Sequence, residues 1–224
     1  MADEIRTVVR QDSYEISPEG SQGRVRLNPR GEVVGIDQYQ QWTFDGRVFN
    51  VSNAANETAA ACGTASATYA DTDPAFLLDV PTGKTAVPLE ILLNQGGTVA
   101  GGPICVLVAL DGKIRYSSGG AAITPRNMRY DEPRLSGCRF YVGTTDIVSA
   151  AATDDTLLFG GFLDQDVGTI PNGPGTKVDW TARKYIAPEL IGPASLVIYA
   201  FNATTQPSFW FVIKWAEFDT VEVT

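Results

Sequence analysis

The chain has 224 residues, of which 44% are hydrophobic and 10% aromatic; its formal net charge is −9 and it contains no histidine. Without histidine, Ser-His-Asp and Cys-His mechanisms are excluded, and an enzyme would be left with carboxylate chemistry. The acidic balance opposes binding to a phosphate backbone, so we expect no nucleic-acid partner.

The N-terminus, Met-Ala-Asp-Glu, carries no basic stretch followed by an apolar one, and we expect no signal peptide. The longest apolar runs, such as 104–110, are too short to span a bilayer, so no membrane partner is expected. The three cysteines are Cys62, Cys105 and Cys138. Their odd number predicts reduced thiols, and the apolar strand around Cys105 predicts a buried core position for it.

The first 45 residues contain several Gly and Pro breaks and few large apolar side chains. We interpret residues 1–45 as an N-terminal arm that docks on a neighbouring subunit or an acidic surface. The alternative is a loosely packed terminal segment, because chain ends are often poorly ordered. The candidate interface residues in this segment are its five arginines, Arg6, Arg10, Arg24, Arg26 and Arg30.

Strand signals recur from Gly46 onward. Apolar or alternating runs predict strands at 47–52, 75–80, 87–93, 104–110, 113–116, 139–142 and 156–163. Pro88 lacks an N–H group, so the strand at 87–93 is expected to be an edge strand or to start there. Asp111-Gly112 suits a type I′ turn, which predicts a hairpin between 104–110 and 113–116.

The C-terminal thirty residues give the clearest pattern in the chain. Aromatic and β-branched runs predict three strands, at 195–201, 209–215 and 218–223. Their nearly continuous apolar character is typical of central strands buried on both faces. Trp210 and Trp215 are an odd number of positions apart in the sequence, so they should point to opposite faces. With about ten short strands and no long amphipathic helix, the sequence predicts an all-β sandwich or barrel.

Two motifs resemble ligand sites but are better explained as loops. Gly83-Lys84-Thr85 lacks the earlier glycine of a phosphate loop, and we interpret 81–84 as a strand-to-strand turn. The aspartate pairs 71/73, 154/155 and 164/166 could contribute to a calcium site or a glycosidase pair. We interpret them as solvated loop charges, and predict no catalytic residue, metal ligand or cofactor.

A basic cluster with interleaved aromatic residues follows the predicted hairpin. Such a pattern is found in single-stranded nucleic-acid sites, but acidic residues at 131 and 132 oppose that interpretation. Arginine and tyrosine are also enriched at protein interfaces, which favours ion pairs between subunits. The cluster contains Arg126, Arg129, Arg134 and Arg139 with Tyr130 and Tyr141, and the candidate interface residues are Arg126, Arg129 and Tyr130.

Segment 77–93, Leu-Leu-Asp-Val-Pro-Thr-Gly-Lys-Thr-Ala-Val-Pro-Leu-Glu-Ile-Leu-Leu, resembles an early strand–turn–strand unit of jelly-roll virion proteins. The strands at 195–223 are similar to the closing strands of that group. The likeness covers mainly residues 70–224, is one of pattern rather than of a diagnostic motif, and extends to capsid decoration and cement proteins of tailed bacteriophages.

The resemblance implies a jelly-roll-like β-sandwich over 46–224 and a non-enzymatic role in the virion. It also implies a homotrimer with the major capsid protein or another virion protein as partner, present in the host cytoplasm before assembly. Two alternatives remain open. A carbohydrate- or receptor-binding sandwich would need an exposed aromatic platform, and a carboxylate-dependent hydrolase would need two convergent carboxylates in a cleft.

Overall fold

The computed structural model describes residues 37–53, 58–96, 104–163 and 177–220. The elements in this part of the chain are α1 (Gln38–Phe44), β1 (Val48–Ser52), β2 (Ala60–Ala61), β3 (Thr64–Ala65), β4 (Phe76–Val80), β5 (Lys84–Gln95), β6 (Ile104–Asp111), β7 (Tyr116–Ile123), β8 (Arg126–Asn127), β9 (Arg139–Ser149), β10 (Thr156–Leu163), β11 (Lys177–Thr181), β12 (Leu190–Ile191), β13 (Ala194–Asn202) and β14 (Ser208–Asp219).

The strands form two sheets. Sheet 1 has the order β11-β5-β14-β1-β8, with β12 on β5 and β2 on β14. Sheet 2 has the order β10-β6-β13-β4-β9-β7, with the short β3 on β13. The pairings among the described strands are antiparallel, except that β3 runs parallel to β13. The predicted all-β sandwich is therefore confirmed, while its assignment as a jelly roll remains a prediction.

The core lies between the two sheets. Trp215, Phe49 and Phe76 are fully buried in one hydrophobic cluster that receives side chains from both sheets. Along β14 buried and half-buried positions alternate from Ser208 to Trp215, as expected when one face of a strand meets the core. Trp210 is half-buried on the opposite face, so the prediction for the two tryptophans is confirmed.

The C-terminal strands differ in one respect from the prediction. β13 is buried along nearly its whole length and lies in the middle of sheet 2, as predicted. The prediction of two separate strands, at 209–215 and 218–223, is wrong. A single strand, β14, continues from Ser208 to Asp219. The polar residue Glu217 does not end the strand, since its buried carboxylate accepts hydrogen bonds from Ser136 and Gly137. Residues 221–224 lie outside the described part of the chain.

The predicted hairpin around Asp111-Gly112 is wrong. β6 lies between β10 and β13, whereas β7 pairs with β9 at the far side of sheet 2. Gly112 is not among the positive-φ glycines, so the connection does not contain the type I′ turn. Instead the Asp111 carboxylate binds the guanidinium of Arg115, which fixes the connection by side-chain contacts.

The prediction for Pro88 is also wrong. β5 is a central strand between β11 and β14, and it starts four residues earlier, at Lys84. Pro88 lies opposite Trp215, where the register of the β5–β14 pair is irregular. A bulge of this kind accommodates a proline that cannot donate a ladder hydrogen bond. The turn predicted at 81–84 is present, with Gly83 at φ +84°.

Helix α1 was not predicted and falls within the range assigned to the arm. It begins after Asp37, whose carboxylate accepts a hydrogen bond from the N–H of Tyr39 at 2.9 Å. Trp42 packs edge-on against Phe218, with ring centroids 5.1 Å apart. The helix thereby covers part of the outer face of sheet 1. At seven residues it is the only α-helix in the described ranges, and it is too short to cross a membrane.

All three cysteines are buried and free, and Cys105 occupies a buried position in β6 as predicted. The five arginines of the predicted arm, Arg6, Arg10, Arg24, Arg26 and Arg30, lie outside the described residues, as does the aspartate pair 164/166.

Candidate functional site

The outer face of sheet 2 holds a buried arginine. Arg115 is 0% exposed, and its guanidinium donates to the carboxylates of Asp71 at 2.6 Å, Asp111 at 2.9 Å and Asp155 at 3.1 Å. It also donates to the Tyr199 hydroxyl at 3.1 Å. Strands β6 and β13 supply Asp111 and Tyr199, and the loops before β4 and β10 supply the other two carboxylates. One cation thus connects two loops to the face of the sheet.

A second set of bonds holds the backbone of this arginine. Its N–H lies 3.2 Å from a carboxylate oxygen of Asp79 and 3.0 Å from the Ser195 hydroxyl. Ser195 in turn donates to Asp79 at 2.5 Å. Burial raises the pKa of Asp79, against the hydrogen bonds from Ser195 and the backbone. This buried group is satisfied by its neighbours, as expected for a structural network.

Two of the carboxylates around Arg115, Asp71 and Asp155, have pKa values shifted in opposite directions. Burial raises the pKa of Asp71, but hydrogen bonds from the Ala152 N–H and from Arg115 outweigh it, so that the net pKa is lowered. Burial raises the pKa of Asp155, with the Asp111 and Asp71 carboxylates acting in the same direction against Arg115. The interpretation of residues 71 and 155 as solvated loop charges is therefore incomplete: both carboxylates are partly exposed, but each also binds a buried cation.

This arrangement suits structural cross-linking better than acid–base chemistry. A glycosidase needs two carboxylates that face a substrate or a water molecule. Here the carboxylates face the guanidinium, which is itself completely buried. Within the described ranges, no group of three or more cysteine, aspartate or glutamate side chains is arranged to hold a metal ion.

The basic cluster predicted as an interface lies on and after β8. Tyr130 is fully exposed at 101%, and Arg126 is exposed. Arg129 donates to Asp131 at 3.0 Å and to the backbone oxygen of Phe44 at 3.0 Å, so it ties this segment to the end of α1. The structure brings this part of the cluster next to the helix, and the role of these residues in subunit contacts remains a prediction.

The exposed large hydrophobic side chains are concentrated near sheet 1. Of eleven such residues in the described ranges, seven lie on α1, on β8 and the segment after it, or on β12 and the loop before it. These seven are Phe44, Met128, Tyr130, Leu135, Tyr185, Ile186 and Ile191. The most exposed aliphatic one is Ile186, at 94%. Single exposed hydrophobic residues are ordinary, but their larger number on segments joined to sheet 1 makes this part of the surface the first candidate for a contact.

Two depressions flank α1 on this side of the molecule. The larger, which we call the α1 groove, has a volume of about 700 Å³ and is lined by Trp42, Val87, Phe218 and the loop 182–189. The smaller has about 280 Å³ and lies beside Met128. The groove exists because a short helix covers only part of the apolar outer face of sheet 1.

Some of the charged side chains that line the α1 groove already bind other groups of the protein. Arg183 forms an ion pair with Asp37 and lies 5.6 Å over the ring of Tyr39. The Lys184 ammonium lies 5.2 Å over the ring of Tyr185. Lys184 and Glu189 are both exposed, and neither has an ion-pair partner among the described residues. The groove therefore combines apolar lining residues with one cation and one anion, Lys184 and Glu189, that have no ion-pair partner among the described residues.

Sequence reasoning missed both Arg115 and the α1 groove. The acceptors of the Arg115 guanidinium lie up to 84 residues away in the chain, and local pattern reveals only Asp111. The sequence does contain a signal for helix α1, which borders the groove: Asp37 is a good N-cap residue and precedes a stretch without glycine or proline.

Comparisons of the chain with protein-family models, with curated proteins and with solved structures found no match.

Proposed function

We propose that this protein is a non-enzymatic structural component of a virus particle, acting as a capsid decoration or cement subunit. Copies of the chain assemble into a homo-oligomer, for which a trimer is the expected state. The oligomer packs on the major capsid protein or on another virion protein, and the N-terminal arm contributes to that attachment.

The observation that carries this proposal is that seven of the eleven exposed large hydrophobic side chains in the described ranges lie on segments joined to sheet 1. Tyrosine and methionine are enriched at protein interfaces, and Tyr130 and Met128 belong to this set. Burying side chains such as Leu135, which is 79% exposed, provides the main favourable free energy for association. A protein that works by packing needs a surface of this kind and no reacting group.

Two measurements test the proposal. Multi-angle light scattering of the full chain at micromolar concentration should give a multiple of the 24.0 kDa chain mass, with three copies expected. Immunogold electron microscopy with an antibody against the chain should label the outside of virus particles from the source lysate. A monomer would contradict the assembly, and gold absent from particles would contradict the location.

One observation favours a second candidate, a carbohydrate- or receptor-binding module. Tyr39, Trp42 and Tyr185 line the α1 groove, and aromatic rings are common in sugar sites. However, Arg183 and Lys184 already contact a ring each, on Tyr39 and Tyr185, which leaves less open aromatic surface for a sugar. A glycan array probed with the full chain and with Tyr185→Ala distinguishes the two: binding that the variant loses would favour the module.

A further inference from the structure

We propose that the loop 184–189 of one copy inserts into the α1 groove of a second copy, and receives the second copy's loop in return, about a two-fold axis. This inference rests on the proposed function, because it requires that the chain associates with itself. It adds the surface, the anchor residue and the charge pair of one subunit contact.

The first argument is shape. Ile186 is 94% exposed and is itself one of the residues that line the groove of about 700 Å³, together with Val87 and Phe218. A projecting apolar side chain and an apolar depression therefore lie next to each other on one surface. Two copies of such a surface are self-complementary, because each projection fills the other copy's depression. A contact formed by the same patch on both subunits has two-fold symmetry.

The second argument is charge. Lys184 and Glu189 stand at opposite ends of the loop, on either side of Ile186, and both are exposed without an ion-pair partner among the described residues. A two-fold axis near Ile186 reverses the direction of the second loop. Lys184 of one copy then faces Glu189 of the other, and the contact contains this pair twice.

The other cations near the groove are already in ion pairs within the chain, so they are less able to bind an anionic ligand. Arg183 is bound to Asp37, and Lys214 is bound to Glu90 across the β5–β14 pair. Among the described residues of the groove, Lys184 and Glu189 are one cation and one anion without an ion-pair partner, so the groove is not a basic surface. This balance fits a second copy of the chain better than a phosphate or an acidic polymer.

The contact is compatible with the expected trimer. A trimer has a threefold contact between different patches, whereas the loop exchange uses one patch on both partners. In a trimeric protein, the loop exchange would join two trimers into an assembly of six copies, so three copies are expected where the threefold contact forms at a lower concentration than the loop exchange. In a protein without the threefold contact it would give a dimer. The mass of the assembly therefore reports on the two contacts separately.

A charge exchange in the full chain tests the proposal. Sedimentation velocity over a concentration series gives the association constant of the wild type and of Lys184→Glu, Glu189→Lys and the double variant. Each single variant places like charges opposite each other twice and should weaken association about tenfold or more. The double variant restores opposite charges across the axis and should recover most of the wild-type association.

Ile186→Asp should weaken association by a similar or larger factor, because it places a charge in the apolar groove. The matched control is Leu157→Asp, which changes a 60% exposed side chain on β10 of sheet 2 and should leave this constant unchanged. Circular dichroism of each variant checks that the fold is kept.

The outcomes separate the inference from the proposed function. Single variants that associate like wild type, or a double variant weaker than both, would overturn the loop exchange while an oligomer still stands. Loss of glycan binding by Ile186→Asp with unchanged mass would assign the groove to a sugar instead. A wild type that is monomeric throughout the series would overturn both proposals.

Discussion

At the scale of single residues, Arg115 is where we expect stability to depend most on one side chain. Arg115→Ala leaves Asp111, with a side chain 1% exposed, as a buried carboxylate without its cation. Breaking a buried ion pair in this way costs about 3–5 kcal/mol. Arg115→Lys should also destabilise the protein, because an ammonium cannot reproduce the fork that reaches three carboxylates. Denaturant unfolding followed by circular dichroism measures both.

The control for this prediction is a cation on the surface. Lys177 is 56% exposed and pairs with Asp179. Lys177→Ala should change the free energy of unfolding by less than about 1 kcal/mol, since exposed pairs contribute little. If Arg115→Ala unfolds at the same denaturant concentration as Lys177→Ala, the cluster does not hold the loops to the sheet.

Asp71 should give the protein part of its acid sensitivity. Burial raises its pKa, but the bonds from Ala152 and Arg115 prevail and lower it below the ordinary value. A lowered pKa in the folded state means that ionised Asp71 contributes stability above the unfolded pKa of about 3.9, and that this is lost as the pH falls through the folded pKa. The stability difference between wild type and Asp71→Asn should therefore shrink below about pH 4.

This prediction is measured as the unfolding free energy between pH 7 and pH 2.5. Asp154→Asn, on an exposed neighbouring residue, controls for the loss of a surface carboxylate. A difference between wild type and Asp71→Asn that stays constant with pH would show that the Asp71 carboxylate has the same pKa in both states.

The residues that were predicted and those that were missed differ in what determines them. The burial of Cys105 and the opposite orientations of Trp210 and Trp215 follow from local strand periodicity. The burial of Arg115 does not, because arginine is normally a surface residue and its acceptors come from distant segments. The folded chain determines that cluster, and no local pattern can indicate it.

At the scale of elements, strand positions were better predicted than strand partners. The run at 104–110 is a strand, but its predicted partner at 113–116 follows only from the Asp111-Gly112 turn signal between them. In the fold, β6 pairs instead with β13, whose residues are nearly a hundred positions later in the chain. Apolar runs report local burial, whereas pairing depends on contacts between distant segments.

Gly63 and Gly83 provide a matched test of two element connections. Both have positive φ, +96° and +84°, but a Cβ on Gly63 would lie 2.1 Å from the backbone oxygen of Ala200, while a Cβ on Gly83 would meet nothing within 4 Å. Gly83→Ala should cost about 1–2 kcal/mol from backbone strain. Gly63→Ala should cost roughly 1–3 kcal/mol more, because β13 must shift to admit the methyl group.

Thermal and denaturant unfolding of the two variants check this difference. Gly63 connects β2 of sheet 1 to β3, which pairs with β13 of sheet 2. Equal destabilisation by the two substitutions would mean that the close approach to Ala200 relaxes without cost, and that the backbone conformation alone determines the effect.

At the scale of the whole molecule, composition and pattern were sufficient for the fold class. Many short β-rich runs without a long amphipathic helix leave few architectures other than a sandwich or barrel. Composition and pattern do not predict which strands pair. For example, β5 and β14 pair along their lengths although more than a hundred residues separate them. For the same reason, the α1 groove is visible only after the loop 182–189 is placed beside the helix.

Two deletions test where the arm ends and the folded unit begins. Removing residues 1–36 leaves every residue of the described structure in place, and we expect this variant to melt close to the full chain. Removing residues 1–45 also deletes Trp42, which packs on Phe218 over the outer face of sheet 1. That loss should lower the free energy of unfolding by about 2 kcal/mol, the value for burying one large apolar side chain. Differential scanning calorimetry compares the three chains. Equal melting of the two deletions would show that α1 adds no stability, and unfolding of the shorter deletion would show that residues 1–36 belong to the folded unit.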